Sequence, residues 1–154
     1  VNARANERFN YAQPLDPIVL KAATLQGQGV DSRAHLRLIV LSLASGFTVT
    51  LPKPIGSGLR LLFSVGITVT SNAYILKRAV STDIIQGIAW TSFGTTNVAG
   101  YIAGSTDNTI TLNGTTSGGY VGDLVELVDT IAGVWSCRAF LQATTSSATP
   151  FSNT

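Results

Sequence analysis

Apolar and polar residues alternate with a period of two through most of the chain beyond residue 35. In Phe47-Thr48-Val49-Thr50-Leu51 the alternation is strict, which predicts a half-buried strand with Phe47, Val49 and Leu51 facing in. Pro52 and Pro54 end that strand, and Gly56-Ser57-Gly58 supplies a turn. The next run places Leu59, Leu61, Phe63 and Val65 on one side, Ile67-Thr68-Val69-Thr70 repeats the pattern, and Ser71-Asn72 turns into Tyr74-Ile75-Leu76-Lys77. Leu36–Leu43 is read as the first strand, followed by a turn at Ser45-Gly46. Further strands are predicted at 84–91, 101–103, 109–113, 120–128 and 134–143. Turn signals every ten residues or so, with no amphipathic helix between them, predict an all-β fold: an antiparallel β-sandwich or barrel-like domain. Parallel α/β folds are disfavoured.

Residues 1–34 break the rhythm. They carry Pro14 and Pro17 in Gln13-Pro14-Leu15-Asp16-Pro17, and proline fixes its own φ while pushing the preceding residue out of the helical region. This predicts an extended N-terminal arm over 1–34, followed by a single β domain over 35–154. A helix over Ile18–Ala23 would lack the length to be stable alone. At the other end, Thr144-Thr145-Ser146-Ser147-Ala148-Thr149-Pro150-Phe151-Ser152 predicts an extended tail.

Charge is scarce, at 12% of residues against about 25% in an average soluble domain. Thr, Ser, Asn and Gly take its place between the apolar positions, and a surface of hydroxyls and amides is cheaper to desolvate than one of ions. Large protein contacts are therefore expected. A net charge of +2 with no run of Lys or Arg argues against nucleic acid as a partner. The uncharged stretch 84–106 is interrupted by Gln86, Asn97 and several glycines, so it reads as turning β structure and no membrane contact is expected. The first residues lack the apolar core of a signal peptide, and loss of an initiator Met is the expected origin of Val1. With a single Cys, no intrachain disulfide is possible.

The inventory for chemistry is poor. His35 is the only histidine, which excludes a multi-histidine metal site and leaves one base for any triad. Cys137, in Val134-Trp135-Ser136-Cys137-Arg138-Ala139-Phe140, is expected to pack as a small hydrophobe, since Arg138 would point to the opposite face. Asp123, Glu126 and Asp129 suggest a cluster until strand parity is applied: Asp123 and Asp129 share a face some ~20 Å apart, and Glu126 points the other way. Gly27-Gln28-Gly29 and Gly56-Ser57-Gly58 lack the residues of a phosphate loop. Asn113-Gly114-Thr115 fits a glycosylation sequon, yet loop geometry alone accounts for it. Trp90, Phe93, Tyr101 and Tyr120 are expected in core and subunit packing rather than ligand stacking. No enzyme activity, cofactor or metal is expected.

The block Thr48-Val49-Thr50-Leu51-Pro52-Lys53-Pro54-Ile55-Gly56-Ser57-Gly58-Leu59-Arg60-Leu61-Leu62-Phe63, with Val69-Thr70-Ser71-Asn72-Ala73-Tyr74-Ile75-Leu76, resembles small β-rich virion proteins of tailed bacteriophages. So do Asn113-Gly114-Thr115-Thr116-Ser117-Gly118-Gly119, Gly122-Asp123-Leu124-Val125-Glu126-Leu127, Gly133-Val134-Trp135 and Ala148-Thr149-Pro150-Phe151-Ser152. The family resembled is that of capsid decoration, or cement, proteins. The resemblance implies a structural virion protein, commonly a homotrimer, on the capsid exterior after assembly in the host cytoplasm. There it would bind the major capsid protein and reinforce contacts between shell subunits. The arm lies outside the resemblance; its candidate anchors, taken from composition, are Arg4, Arg8, Phe9, Tyr11, Leu15, Ile18 and Val19. The alternative is a carbohydrate- or receptor-binding β domain of a head fibre or tail structure.

Overall fold

The computed structural model describes residues 17–21 and 38–154. Among them the chain forms β1 (Ile18–Leu20), β2 (Leu38–Leu41), β3 (Phe47–Thr50), β4 (Arg60–Val65), β5 (Tyr74–Lys77), β6 (Ile84–Phe93), β7 (Asn97–Ile102), β8 (Thr109–Leu112), β9 (Leu124–Ile131), β10 (Val134–Ala143) and β11 (Phe151–Ser152). No helix occurs among the described residues, and so none that is long and apolar enough to cross a membrane. The all-β class expected from the alternation holds.

The expected antiparallel pairing holds only in part. A seven-stranded sheet runs β1-β2-β4-β9-β10-β6-β7 and a four-stranded sheet runs β11-β8-β5-β3. Both are mixed: β1 with β2, β2 with β4, β6 with β10 and β3 with β5 are parallel, and the remaining pairs are antiparallel. The reason lies in the connections. Successive strands from β2 to β5 alternate between the sheets, so the neighbours β2 and β4, and β3 and β5, are two apart in the chain and run the same way. β6 and β10 each belong to an antiparallel pair, β6–β7 and β9–β10, and lie side by side in parallel over their whole lengths. Alternation of side chains is identical in the two kinds of pairing and carries no signal of direction.

Parity sorts the side chains as the sequence demands. Along β10, Trp135, Cys137, Ala139 and Leu141 are buried, and along β4, Leu61, Phe63 and Val65 are. These meet Val49, Tyr74, Leu76, Ile110 and Leu112 of the smaller sheet in one continuous hydrophobic cluster. Tyr74 ties the layers together: its hydroxyl accepts from the Leu43 amide at 2.9 Å and donates to the Ile67 carbonyl at 2.8 Å. Its ring meets Phe47 edge-on, with centroids 5.3 Å apart.

The strand expected at 101–103 is β7 over Asn97–Ile102, the strand expected at 120–128 begins only at Leu124 and runs to Ile131, and two further segments take their own paths. Ile18–Leu20 is a strand, β1, rather than a helix, paired with β2 and burying Leu20. Ile67–Thr70 is a loop: the Val69 amide bonds Gly119 and the Thr70 amide bonds Ala44, two different connections rather than one strand. The tail returns as β11 against β8, with Phe151 buried.

Candidate functional site

A sheet covered on one side by its core should present polar residues on the other. The outer face of the seven-stranded sheet departs from that rule. Across its middle, Ser64 pairs with Leu124, Leu124 with Phe140, Phe140 with Trp90, and Trp90 with Gly100. One register step away, Leu62, Glu126, Arg138, Ile88 and Ile102 form the next row. Phe140 is 64% exposed, Ile102 81%, Val98 62% and Trp90 45%. Trp90, Ser92, Val98, Phe140 and Leu141 line a hollow of about 390 Å³ in which Ser92 is the only polar residue.

Each exposed aromatic is set there by parity. Trp135, Cys137, Ala139 and Leu141 fix the buried beat of β10, which leaves Phe140 outward. Ile85, Ala89 and Thr91 do the same for Trp90 on β6. Gly100 gives the indole a place to lie: a Cβ built there would stand 3.0 Å from its Cζ3. Toward β4 the face turns polar, with Arg60 donating to Glu126 as an ion pair and Arg138 opposite Glu126 in the register.

Cys137, Asp123, Asp129 and Asn113 each have a structural part. Burial, with the charge of Glu126 adding to it, pushes the Cys137 thiol up to about 12, so it stays protonated and packs as a hydrophobe. Glu126 points to the opposite side from Asp123 and Asp129, as parity required. Asp123 and Asp129 are, however, buried rather than solvated edge or turn charges, because backbone amides of the adjoining turns bond their carboxylates. Asp129 Oδ2 accepts from the Ile55 and Ser57 amides and the Ser57 hydroxyl, and Oδ1 from the Gly56 amide. Burial raises its pKa, but the Ser57 hydroxyl and these amides outweigh that and hold it below the ordinary value. Asp123 Oδ2 accepts from the Gly119 and Tyr120 amides and closes the turn into β9. Among the described residues, no group of His, Cys, Asp and Glu is arranged to hold a metal ion. Asn113 Oδ1 accepts from the amides of Thr115, Thr116 and Ser117, so it is the pivot of its loop.

Of the candidate anchors, Arg4, Arg8, Phe9, Tyr11 and Leu15 lie outside the described residues, as does His35. Ile18 packs against the core and Val19 points outward from β1, on the face that carries Trp90 and Phe140. Phe140 was not among the candidates. The signal for it was legible, an aromatic on the off-beat of a strict alternation. Of the four aromatics expected in packing, Trp90 is largely exposed and Tyr101 packs against the core with its hydroxyl 2.6 Å from Ser147 Oγ. No family model, curated protein or solved structure matches the chain.

Proposed function

We propose that the chain is a non-catalytic structural module that binds protein surfaces through the outer face of its seven-stranded sheet. The observation that carries this reading is the row Leu124–Phe140–Trp90, an apolar band on a face that water would otherwise wet. Exposed aromatics of this kind are the usual anchors of an interface, and the rim of Arg60, Glu126 and Arg138 supplies polar contacts beside them. The two mixed sheets are read as the halves of a β-sandwich, joined by their common core.

The partner we propose is the exterior of a tailed-bacteriophage capsid, where the module bridges major capsid protein subunits, with three copies acting together. The resemblance of residues 47–152 to capsid decoration proteins supports this choice. A bridge between shell subunits adds contacts that must break before they part, and needs no reaction. The hollow at Trp90 is lined mainly by apolar side chains, which suits a protein partner better than a glycan, whose hydroxyls need several hydrogen-bonding groups around them.

The test is decoration of DNA-free shells by purified chain, followed by co-sedimentation. Phe140→Glu and Trp90→Ser should each weaken binding at least tenfold while circular dichroism stays that of the native fold. Binding of both variants at wild-type strength would remove the face from the mechanism. Binding to a glycan array, lost on the same substitutions, would replace the shell with a carbohydrate. A companion deletion for the arm must stop before Pro17, because Ile18–Leu20 belongs to the sheet.

A further inference from the structure

β7 forms one end of the seven-stranded sheet, and β6 is its one strand partner among the described residues. The Ala103 amide donates to the Gly87 carbonyl, which fixes the phase of the ladder. Backbone groups alternate between the two sides of a strand. Asn97, Ala99 and Tyr101 therefore turn their N–H and C=O toward β6, while Val98, Gly100 and Ile102 turn theirs outward. Those outward groups bond no described residue.

The other sheet ends are short or guarded. β1 has three residues with Pro17 before it and Lys21 after, β3 has four and runs into Pro52-Lys53-Pro54, and β11 has two. β7 has six residues and carries neither charge nor proline. Proteins defend long edges with such residues because an open edge is a template for another strand.

We infer that β7 pairs antiparallel with β7 of a second copy, about a two-fold axis at Gly100. The strand answers itself: its outward residues, Val98, Gly100 and Ile102, are centred on Gly100. The two-fold register sets Gly100 opposite Gly100 and Val98 opposite Ile102, and each of these residues exchanges both backbone groups with its opposite. Val98 and Ile102 then share the outer face as a cross-strand apolar pair. No like charges meet, since the strand carries none. One six-residue strand edge meeting another is smaller than the ~800 Å² per partner of a standard interface, so the pairing is a weak, reversible one. It uses the open edge of β7 where shell binding uses the outer face, with Val98 common to both, and it combines with a three-fold arrangement as a link between trimers.

The register is the test. Val98→Cys and Ile102→Cys are prepared separately in the full chain, whose own Cys137 is buried. On mild oxidation a mixture of the two should give a disulfide-linked dimer, because opposed residues lie about 5.5 Å apart, within the span of a disulfide. Each alone should give at least tenfold less, since its own copies stand four residues, about 13 Å, apart. Sedimentation over a range of concentrations should show reversible doubling of mass, from monomer to dimer or from trimer to hexamer. Val98→Pro removes an amide that β6 does not use and should raise the dissociation constant at least tenfold, and Ile102→Lys should do the same should the proline variant misfold. A mass that never doubles, or cross-linking equal in the mixture and the single variants, overturns the pairing. Shell binding is read separately by Phe140→Glu on β10; the β7 variants alter Val98, which also lines the hollow at Trp90, and are therefore scored on mass and cross-linking alone.

Discussion

The indole of Trp90 lies across Gly100 on the neighbouring strand, so close that a Cβ on Gly100 would stand 3.0 Å from Cζ3 and 3.3 Å from Cε3. The two residues are register partners in β6 and β7. Glycine in a strand gives up packing and costs conformational entropy, and here the ring of its partner covers it. Gly100→Val should lift the indole off the strand. The expected readout is a red-shifted, more quenchable component of tryptophan fluorescence with circular dichroism unchanged, the buried Trp135 serving as the internal constant. Fluorescence identical to wild type would mean that the ring does not depend on the glycine.

Asp129 is a second pivot. It holds the 55–57 turn through the amides of Ile55, Gly56 and Ser57 and the Ser57 hydroxyl, at 2.6–3.1 Å. Asp129→Ala orphans these donors and should cost about 2–4 kcal/mol by denaturant unfolding, more than a surface carboxylate. Its pKa is depressed in the folded chain, so its contribution is present above the unfolded value near 4 and is lost as pH falls through the folded one. The stability gap between wild type and Asp129→Ala should therefore narrow below pH 4.

Much of this structure was legible as strands and little of it as pairing. The beat of Phe47, Val49 and Leu51, and that of Leu61, Phe63 and Val65, placed these side chains inward, and all are buried. Which strands would be neighbours depended on connections that cross between sheets, and no local pattern encodes that. Ile67-Thr68-Val69-Thr70 had the beat of a strand, yet Val69 is held singly by Gly119 and forms no ladder. Gly87 shows the opposite failure. It sits inside β6 at a φ of +147° with the Cys137 carbonyl 2.0 Å from where a Cβ would be, a close approach that composition does not reveal. The exposed apolar face was half legible: Trp90 stands out as an aromatic, whereas Phe140 needs the parity of its whole strand.

Thr91 carries a hydroxyl that the core does not use. It is wholly buried on β6, and its Oγ1 has no hydrogen-bond partner among the described residues. A buried hydroxyl without a partner keeps its desolvation cost and returns nothing. Thr91→Val keeps the shape and the β-branch and should stabilise the fold by about 1 kcal/mol in denaturant unfolding. A loss of stability instead would show that the hydroxyl has a partner.

Asp123 gives the fold a pH dependence opposite in sign to that of Asp129. Burial raises its pKa to about 6, against the lowering effect of the Tyr120 and Gly119 amides that bond Oδ2. A carboxyl with a raised folded pKa binds more protons folded than unfolded between its unfolded value near 4 and about 6. Stability therefore falls as pH rises through that window and levels above it. The two-unit displacement corresponds to a penalty on the order of 3 kcal/mol for holding the charge at neutral pH. Asp123→Asn keeps an acceptor for the two amides and removes the charge. Its melting temperature relative to wild type should be several degrees higher at pH 7.5 than at pH 4.5. A difference that does not change between the two pH values would mean that Asp123 titrates at its ordinary pKa and that the turn at 119–123 tolerates a charge without cost.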